Sequence, residues 1–476
     1  AFYNKLTYSF ESNGSYTSGR VSQVVSEIRK GESTSYTTTT STYKYTYDAN
    51  GNITEIKDGS NVTQFKYTYD ELGQLTREDN NPLNKSYVYT YDKGGNITSK
   101  KTYAFTTGTL GTVQSTENYT YNNATWGDLL TSAAGKTIAT DNIGNTVCIG
   151  SDILSWKGRQ LSAYYIYGGS TLTYKYNADG IRTVKNVVSG STTTRHEYLL
   201  NGSQIVKETV FVNGTESYTL VYLYDEYGSP IGFKYRTPSY ARNVFDGYFF
   251  EKNTQGDIIG IWDLTGSNGR IVQYTYDAWG NVTVSGSGAS GIGAKNPFRY
   301  RGYYYDTETS LHYLQTRYYN PSRGRFISAD GYINADSDII GFNMFTYCGN
   351  NPVMGYDPTG EWDWGKFISG VMMVAAAVVC VASVAASIAS CWTLTPVMAV
   401  VAAVTVTAAV AYATEGVAEM VEAGTGHNFV RDDLMGGDEE TYETSKVVLY
   451  SIMQIGTMVV GMGACFIAGT QVATEA

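Results

Sequence analysis

Cysteine is scarce in this chain. Its five cysteines, Cys148, Cys348, Cys380, Cys391 and Cys465, are scattered over 476 residues, form no C-x-x-C pair and are odd in number. That excludes a disulfide framework and a cysteine-ligated zinc site, and leaves the compartment unread. Histidine is scarcer still. His196, His312 and His427 stand isolated, none with a partner at metal-ligand spacing, so each reads as a surface or structural residue and no metal or cofactor is expected. Positive charge is also short, with 34 Lys and Arg against 44 Asp and Glu, a net charge of -10. Without a basic tract such a chain is a poor nucleic-acid binder, and no nucleic-acid partner is expected. No phosphate-cradling G-x-x-x-x-G-K-[ST] loop or G-x-S-x-G nucleophile elbow occurs. The opening AFYNKLTYSF has no initiator Met, charged n-region or apolar h-region, which reads as a piece of a longer protein. Proline occurs only 8 times.

Against these shortages stand 43 tyrosines and 51 glycines. Tyrosine suits a pleated, half-buried surface and glycine supplies turns, so the pairing predicts many short strands with tight connections. A repeated unit carries both. Its clearest copies are Tyr43-Lys-Tyr-Thr-Tyr-Asp-Ala-Asn-Gly51-Asn-Ile-Thr54, Phe65-Lys-Tyr-Thr-Tyr-Asp-Glu-Leu-Gly73-Gln-Leu-Thr76 and Tyr87-Val-Tyr-Thr-Tyr-Asp-Lys-Gly-Gly95-Asn-Ile-Thr98, and more widely spaced copies follow at Tyr176, Tyr224 and Tyr276. Thr140-Asp-Asn-Ile-Gly144-Asn is a decayed copy. A regular period of this kind signals a repeat architecture. Within each copy apolar residues alternate, as in Tyr43, Tyr45 and Tyr47, which places them on one face of a strand. Asp then opens a turn by accepting backbone N–H groups, Gly takes positive φ at a bulge, and Ile53, Leu75, Ile97 or Val282 anchors the return strand. One hairpin cannot bury its aromatic face; stacked hairpins share a continuous sheet.

The Tyr-Asp-x-x-Gly-Asn-Ile/Leu-Thr unit resembles the YD repeat of the RHS family, over roughly residues 40 to 360. That family includes bacterial contact-dependent toxins, the C component of tripartite insecticidal toxins, and the teneurins. The resemblance implies a mainly β fold, in which stacked hairpins form a spiralling, shell-like sheet around a hollow, followed by a small α-helical apolar C-terminal region. Residues 1–295 would form the shell fragment. Residues 296–362, running from Asn296-Pro-Phe-Arg-Tyr-Arg-Gly302 through Arg317-Tyr-Tyr-Asn-Pro321 to Tyr356-Asp-Pro-Thr-Gly360, are similar to the RHS core-associated segment, which closes one end of the shell.

In toxin-bearing relatives this segment also cuts the chain after a D-P-x-G-L motif with two aspartates and an arginine. The matching positions are Asp330, Asp357 and Arg317. Two close carboxylates share a proton, so one can act as base and the other as acid, while an arginine steadies developing negative charge. This chain has Glu361 in the Leu position, and Gly331 where Pro usually follows the first aspartate. A structural reading stands beside the catalytic one: both aspartates start turns and Arg317 is a buried ion-pair partner.

Residues 367 to 414 carry no charge. Segments 367–391 and 397–413, within an apolar helical hairpin over 363–425, would pack closely through Ala, Ser and Gly, either in a membrane or sheltered by protein. A linker and helix over 426–463 follow. The stretch Cys465-Phe-Ile-Ala-Gly469-Thr470 in residues 464–476 resembles the opening of a Hint domain, with Cys465 as a nucleophile inert without downstream groups. The resemblance thus implies a fragment of a secreted or bacterial cell-surface toxin. Its shell would hold and deliver its own C-terminal toxin domain, matched by an immunity protein, with contact to the target-cell membrane or surface glycans. The alternative is a cell-surface adhesion or carbohydrate-binding protein without self-cleavage.

Overall fold

The structure, a computed structural model, describes residues 2–361 apart from 13–16, 33–34, 226–227, 242, 265–268 and 332–338. Beyond 361 it describes only 411, 414, 428, 430–431, 442–443, 445–446 and 449. The chain divides into two compact units, Ala1–Gly360 and Glu361–Ala476.

The first unit is built from the expected hairpins. Strand Thr63–Tyr69 turns into Leu75–Asn80, and Lys85–Tyr91 into Ile97–Ala104. At the first turn the Asp70 carboxylate accepts the N–H groups of Leu72 at 3.0 Å and Gln74 at 2.9 Å, and the Gln74 side chain at 2.8 Å. Gly73 sits at φ 77° and the register slips between Thr68 and Tyr69. Asp92, Asp141 and Asp277 repeat the pattern, so the decayed copy at 140–145 is structurally complete. A further copy has the two polar residues exchanged: Asn253 accepts the N–H groups of Gln255 and Asp257, and donates its side-chain amide to Asp257 at 2.7 Å.

Among the described residues, 24 strands join into one antiparallel sheet in which chain neighbours pair. The middle tyrosine of each set, such as Tyr45, Tyr67, Tyr89 and Tyr274, is buried, whereas the intervening Thr46, Thr68 and Thr90 face solvent. The last tyrosine reaches back to the previous hairpin. Tyr69 donates its hydroxyl to the carbonyl of Ile53 at 2.7 Å, Tyr91 to Leu75 at 2.6 Å, and Tyr276 to Ile258 at 2.6 Å. Ladder pairing on those strands begins two residues further in, at Glu55, Arg77 and Gly260. The hydroxyl therefore covers a carbonyl that the ladder misses, and a buried unpaired carbonyl would be costly.

The wall curves until its early strands meet its late hairpins. Both Glu78 oxygens accept the Ala278 N–H at 2.9 Å, Asn80 donates to the Tyr276 carbonyl at 2.8 Å, and Lys100 pairs with Asp277 at 3.2 Å. Burial pushes the Glu78 carboxyl up to about 8, with the Asp277 charge adding to it. A cavity of about 260 Å³ lies beside this seam, lined by Tyr43, Tyr45 and Tyr67 from one wall and Tyr274 and Tyr276 from the other.

The described residues of 296–360 sit across the ends of the hairpins, around a four-stranded sheet of Tyr304–Asp306, Leu311–Leu314, Arg317–Asn320 and Arg325–Phe326. Their side chains read the turns one by one. Asn351 donates to Asn52 at 2.9 Å, Asn350 to Gln74 at 2.9 Å and the Gly95 carbonyl at 2.6 Å, and Asn343 to Asn96 at 2.8 Å. Tyr319 donates to the Trp279 carbonyl at 2.8 Å, and Asp257 accepts the Arg301 N–H at 2.9 Å. At Gly280 the approach is so close that a Cβ would lie 2.6 Å from the Tyr300 ring.

In the second unit, Asn428 donates to the Tyr442 hydroxyl at 2.9 Å and Lys446 stands 4.7 Å over the Tyr442 ring. The apolar segments 367–391 and 397–413, apart from residue 411, lie outside the described residues, as do most of the linker and helix, His427 and Cys465. Among the described residues no helix is long and apolar enough to cross a membrane.

The hydroxyl staple gives a direct expectation. Tyr276→Phe should lower unfolding free energy by about 1–3 kcal/mol in urea melts, the cost of one buried unpaired carbonyl. Tyr167→Phe, at a side chain 79% exposed, should change nothing measurable.

Candidate functional site

Within the segment that caps the turns, one tight connection brings the three sequence-predicted residues together. Strand Leu311–Leu314 returns as Arg317–Asn320 through Gln315, which adopts φ 61°. Arg317 heads the second strand with its guanidinium 3.6 Å over the Phe326 ring and its side chain buried. From there it reaches Asp330 at 2.7 Å and Asp357 at 3.6 Å, both through Nη2. Nη1 donates to the Met344 carbonyl at 3.1 Å, and Nε donates to the Gly360 carbonyl.

The other half of the site is the turn 357–360. The Asp357 carboxylate accepts the N–H groups of Gly360 at 2.7 Å and Thr359 at 3.3 Å. Thr316 grips the Thr359 carbonyl twice, with its hydroxyl at 2.6 Å and its N–H at 3.1 Å. Gly360 stands at φ 84°, and a Cβ there would fall 2.7 Å from the Thr316 hydroxyl and 2.9 Å from the Leu314 carbonyl. Position 360 thus requires glycine on both conformational and steric grounds.

Asp357 forms the turn foreseen for it, and Arg317 is the buried ion-pair partner of both aspartates. Burial pushes the Asp357 carboxyl up to about 6 against the pull of Arg317 and the Gly360 N–H, with a smaller push from Asp330. Arg317 thus binds both aspartates and the Gly360 carbonyl, while Asp357 holds the Gly360 N–H.

Several residues that hold the site were not foreseen. Tyr303 accepts the Asp357 N–H at 2.9 Å; it follows the Tyr-Arg-Gly run of the segment, whose pattern gave no sign of this role. Asp306 joins two cations of the wall, Arg182 at 2.6 Å and Lys185 at 3.0 Å, with Arg182 and Asp306 side chains fully buried. The Arg182 guanidinium lies 4.3 Å over Tyr313 and 4.8 Å over Tyr304. Burial opposes the charge on Asp306, but Arg182 and Lys185 outweigh it and hold the carboxyl below its ordinary range. Two histidines are structural. His312 is buried among tyrosines and burial lowers it to about 3, and His196 pairs with Glu208 at 2.6 Å. Among the described residues no group of three or more His, Cys, Asp or Glu is placed to hold a metal ion.

A wall of tyrosine-aspartate hairpins, closed at its turns by a segment of this design, defines a YD-repeat shell. The chain belongs to the RHS/YD-repeat polymorphic toxin family: the family model for the Teneurin YD-shell matches residues 37–353. It is 36% identical over 241 residues to the tRNA nuclease WapA of Bacillus subtilis strain 168, a match covering 49% of this chain and 10% of that protein. It is 39% identical over 85 residues to the double-stranded DNA deaminase toxin A of Burkholderia cenocepacia strain H111, covering 18% of this chain and 6% of that one. In fold it is similar to the crystal structure of TcdB2-TccC3 without the hypervariable C-terminal region. The TM-score is 0.57 at 21% identity, over 75% of this chain and 18% of the other. The chain therefore spans about a tenth of the length of the curated relatives it matches over 241 residues.

Two substitutions test the packing described here. Asp306→Asn should cost about 3–5 kcal/mol, because it leaves the Arg182 guanidinium buried without a counter-charge and Lys185 with Glu308 alone. In the parent protein the contribution of Asp306 is present above the ordinary aspartate pKa and is lost as pH falls through its lowered folded value, so acid melts of parent and variant should converge. Gly360→Ala should lower the melting temperature measurably and release the 357–360 turn, detected as faster exchange of the amide at position 360.

Proposed function

We propose that this chain is the C-terminal part of a toxin shell that encloses a downstream toxic domain and severs itself at the Gly360–Glu361 peptide. The observation that carries the reading is the Arg317 guanidinium, which contacts Asp330, Asp357 and the Gly360 carbonyl at once. Asp330 takes a proton from an attacking water, whose oxygen bonds to the Gly360 carbonyl carbon. Arg317 steadies the oxyanion that forms. Asp357 gives its proton to the departing Glu361 nitrogen as the C–N bond breaks, leaving a carboxyl and an amine. The cut would part the shell from everything after it while the plug stays seated in the wall.

The wider reading draws on the relatives. One is named as a tRNA nuclease and another as a DNA deaminase toxin, which supports a toxic domain as the cargo. Such a cargo calls for an immunity protein in the producing cell, and delivery calls for a secreted or cell-surface shell. The uncharged stretch 367–414 is the part of the chain suited to meet a target membrane.

Intact-mass measurement of the purified, folded chain over time tests the cut. Two fragments meeting at Gly360 and Glu361 should accumulate, and Asp330→Asn and Asp357→Asn should each abolish them. Since Asp357 is protonated below about 6, the rate should fall as pH rises above that value. A parent chain that stays whole at pH 5 would reject self-cleavage and leave a wall without processing, as the adhesion reading requires.

A further inference from the structure

We infer that Tyr303 is the positioning residue for Asp357, and that Tyr347 holds Tyr303 in place for that task; this rests on the self-cleavage reading. An acid acting on the Gly360–Glu361 peptide must keep its carboxyl on one side of the turn while its own backbone is pinned. Here the backbone pin is a side chain. The Asp357 N–H donates to the Tyr303 hydroxyl oxygen at 2.9 Å, and that hydroxyl also pairs with the Tyr347 hydroxyl at 2.9 Å. Both tyrosines are buried, at 5% and 0% exposure, so no solvent substitutes for either bond. The Tyr303 ring stacks on Tyr356, with centroids 5.8 Å apart and planes 10° from parallel, and thereby fixes the residue preceding the acid as well.

Tyr303 is itself tied to the wall. Its N–H donates to the Tyr300 carbonyl at 2.9 Å and its carbonyl accepts from the Arg299 N–H at 3.1 Å. Tyr300 in turn donates its hydroxyl to the Ala278 carbonyl at 2.8 Å, at the last YD turn. A chain of short, buried contacts thus runs from the closing turn of the shell wall through Tyr300 and Tyr303 to the acid. The backbone of the acid is thereby tied to the seating of the plug on the last YD turn, which would favour cutting in the assembled shell.

The titratable groups around Asp357 are Arg317, Asp330, Cys348, Tyr303 and Tyr356. Removing the Tyr303 hydroxyl changes none of their charges at neutral pH but frees the acid to move among them. The test compares cutting rates of the full chain across pH 4 to 8 for the parent, Tyr303→Phe and Tyr347→Phe, with Asp330→Asn as the uncut control. Tyr303→Phe should slow cutting by about 10- to 100-fold, the effect of misplacing a reacting group by about 1 Å. It should also shift the midpoint of the alkaline limb and speed exchange of the Asp357 amide. Tyr347→Phe, which removes only the outer bond, should do the same to a lesser degree and serves if the first variant does not fold. A residue with a merely structural role would lower the melting temperature and leave rate and midpoint alone. Variants that cut at the parent's rate and midpoint would overturn the inference, while a parent that never cuts would overturn the reading beneath it.

Discussion

One hydrogen bond, repeated along the wall, makes the rest of this structure possible: a tyrosine hydroxyl donated to the backbone carbonyl of the preceding hairpin. The first three YD turns end in a bulge, and a bulge displaces the ladder. The next strand then pairs from two residues further in, which would leave a carbonyl unpaired against an aromatic wall. Tyr69, Tyr91, Tyr121 and Tyr276 each fill that gap. Phenylalanine would supply the same apolar area without the bond, which is a physical reason for the chain's abundance of tyrosine. The same residue that packs the inner face joins each hairpin to the one before it.

This stacking also fixes where the turns go. Because the repeats end their outgoing strands with Tyr-Asp or a variant of it, the YD turns collect along one rim. The segment 296–360 makes its contacts on that rim, and its asparagines and tyrosines bond to turn backbone and turn side chains. The buried ion cluster of Asp306 with Arg182 and Lys185 adds specificity, since a misplaced plug would strand charges in an apolar setting. The site residues inherit their precision from this anchoring. Asp357 serves as a turn former and an ion-pair partner through one geometry.

Much of this was legible in the sequence. The alternation at Tyr43, Tyr45 and Tyr47, the Asp-to-Gly spacing and the apolar anchors gave the hairpins, and even the weak copy at 140–145 forms the full turn. The copy at Asn253–Asp257 escaped because asparagine and aspartate had exchanged places, although the hydrogen-bond geometry is indifferent to that exchange. Arg317, Asp330 and Asp357 were found through resemblance, being 13 and 27 residues apart in a stretch with no visible periodicity. Tyr303, Arg182 and Glu78 left no local signal, because each owes its role to partners far along the chain. Glu78 meets Ala278 across 200 residues, a contact that exists only once the sheet has curved.

Wall and plug form one cooperative body, wired through the YD turns. Native-state hydrogen exchange under increasing denaturant measures this directly. The amides of Gln74, Asn96, Asn145 and Asn281 in the turns, and those of Tyr318 and Tyr319 in the plug, should open with a single common free energy. Plug amides that open at much lower free energy while the turn amides stay protected would show a cap resting on an independent wall, and would contradict it.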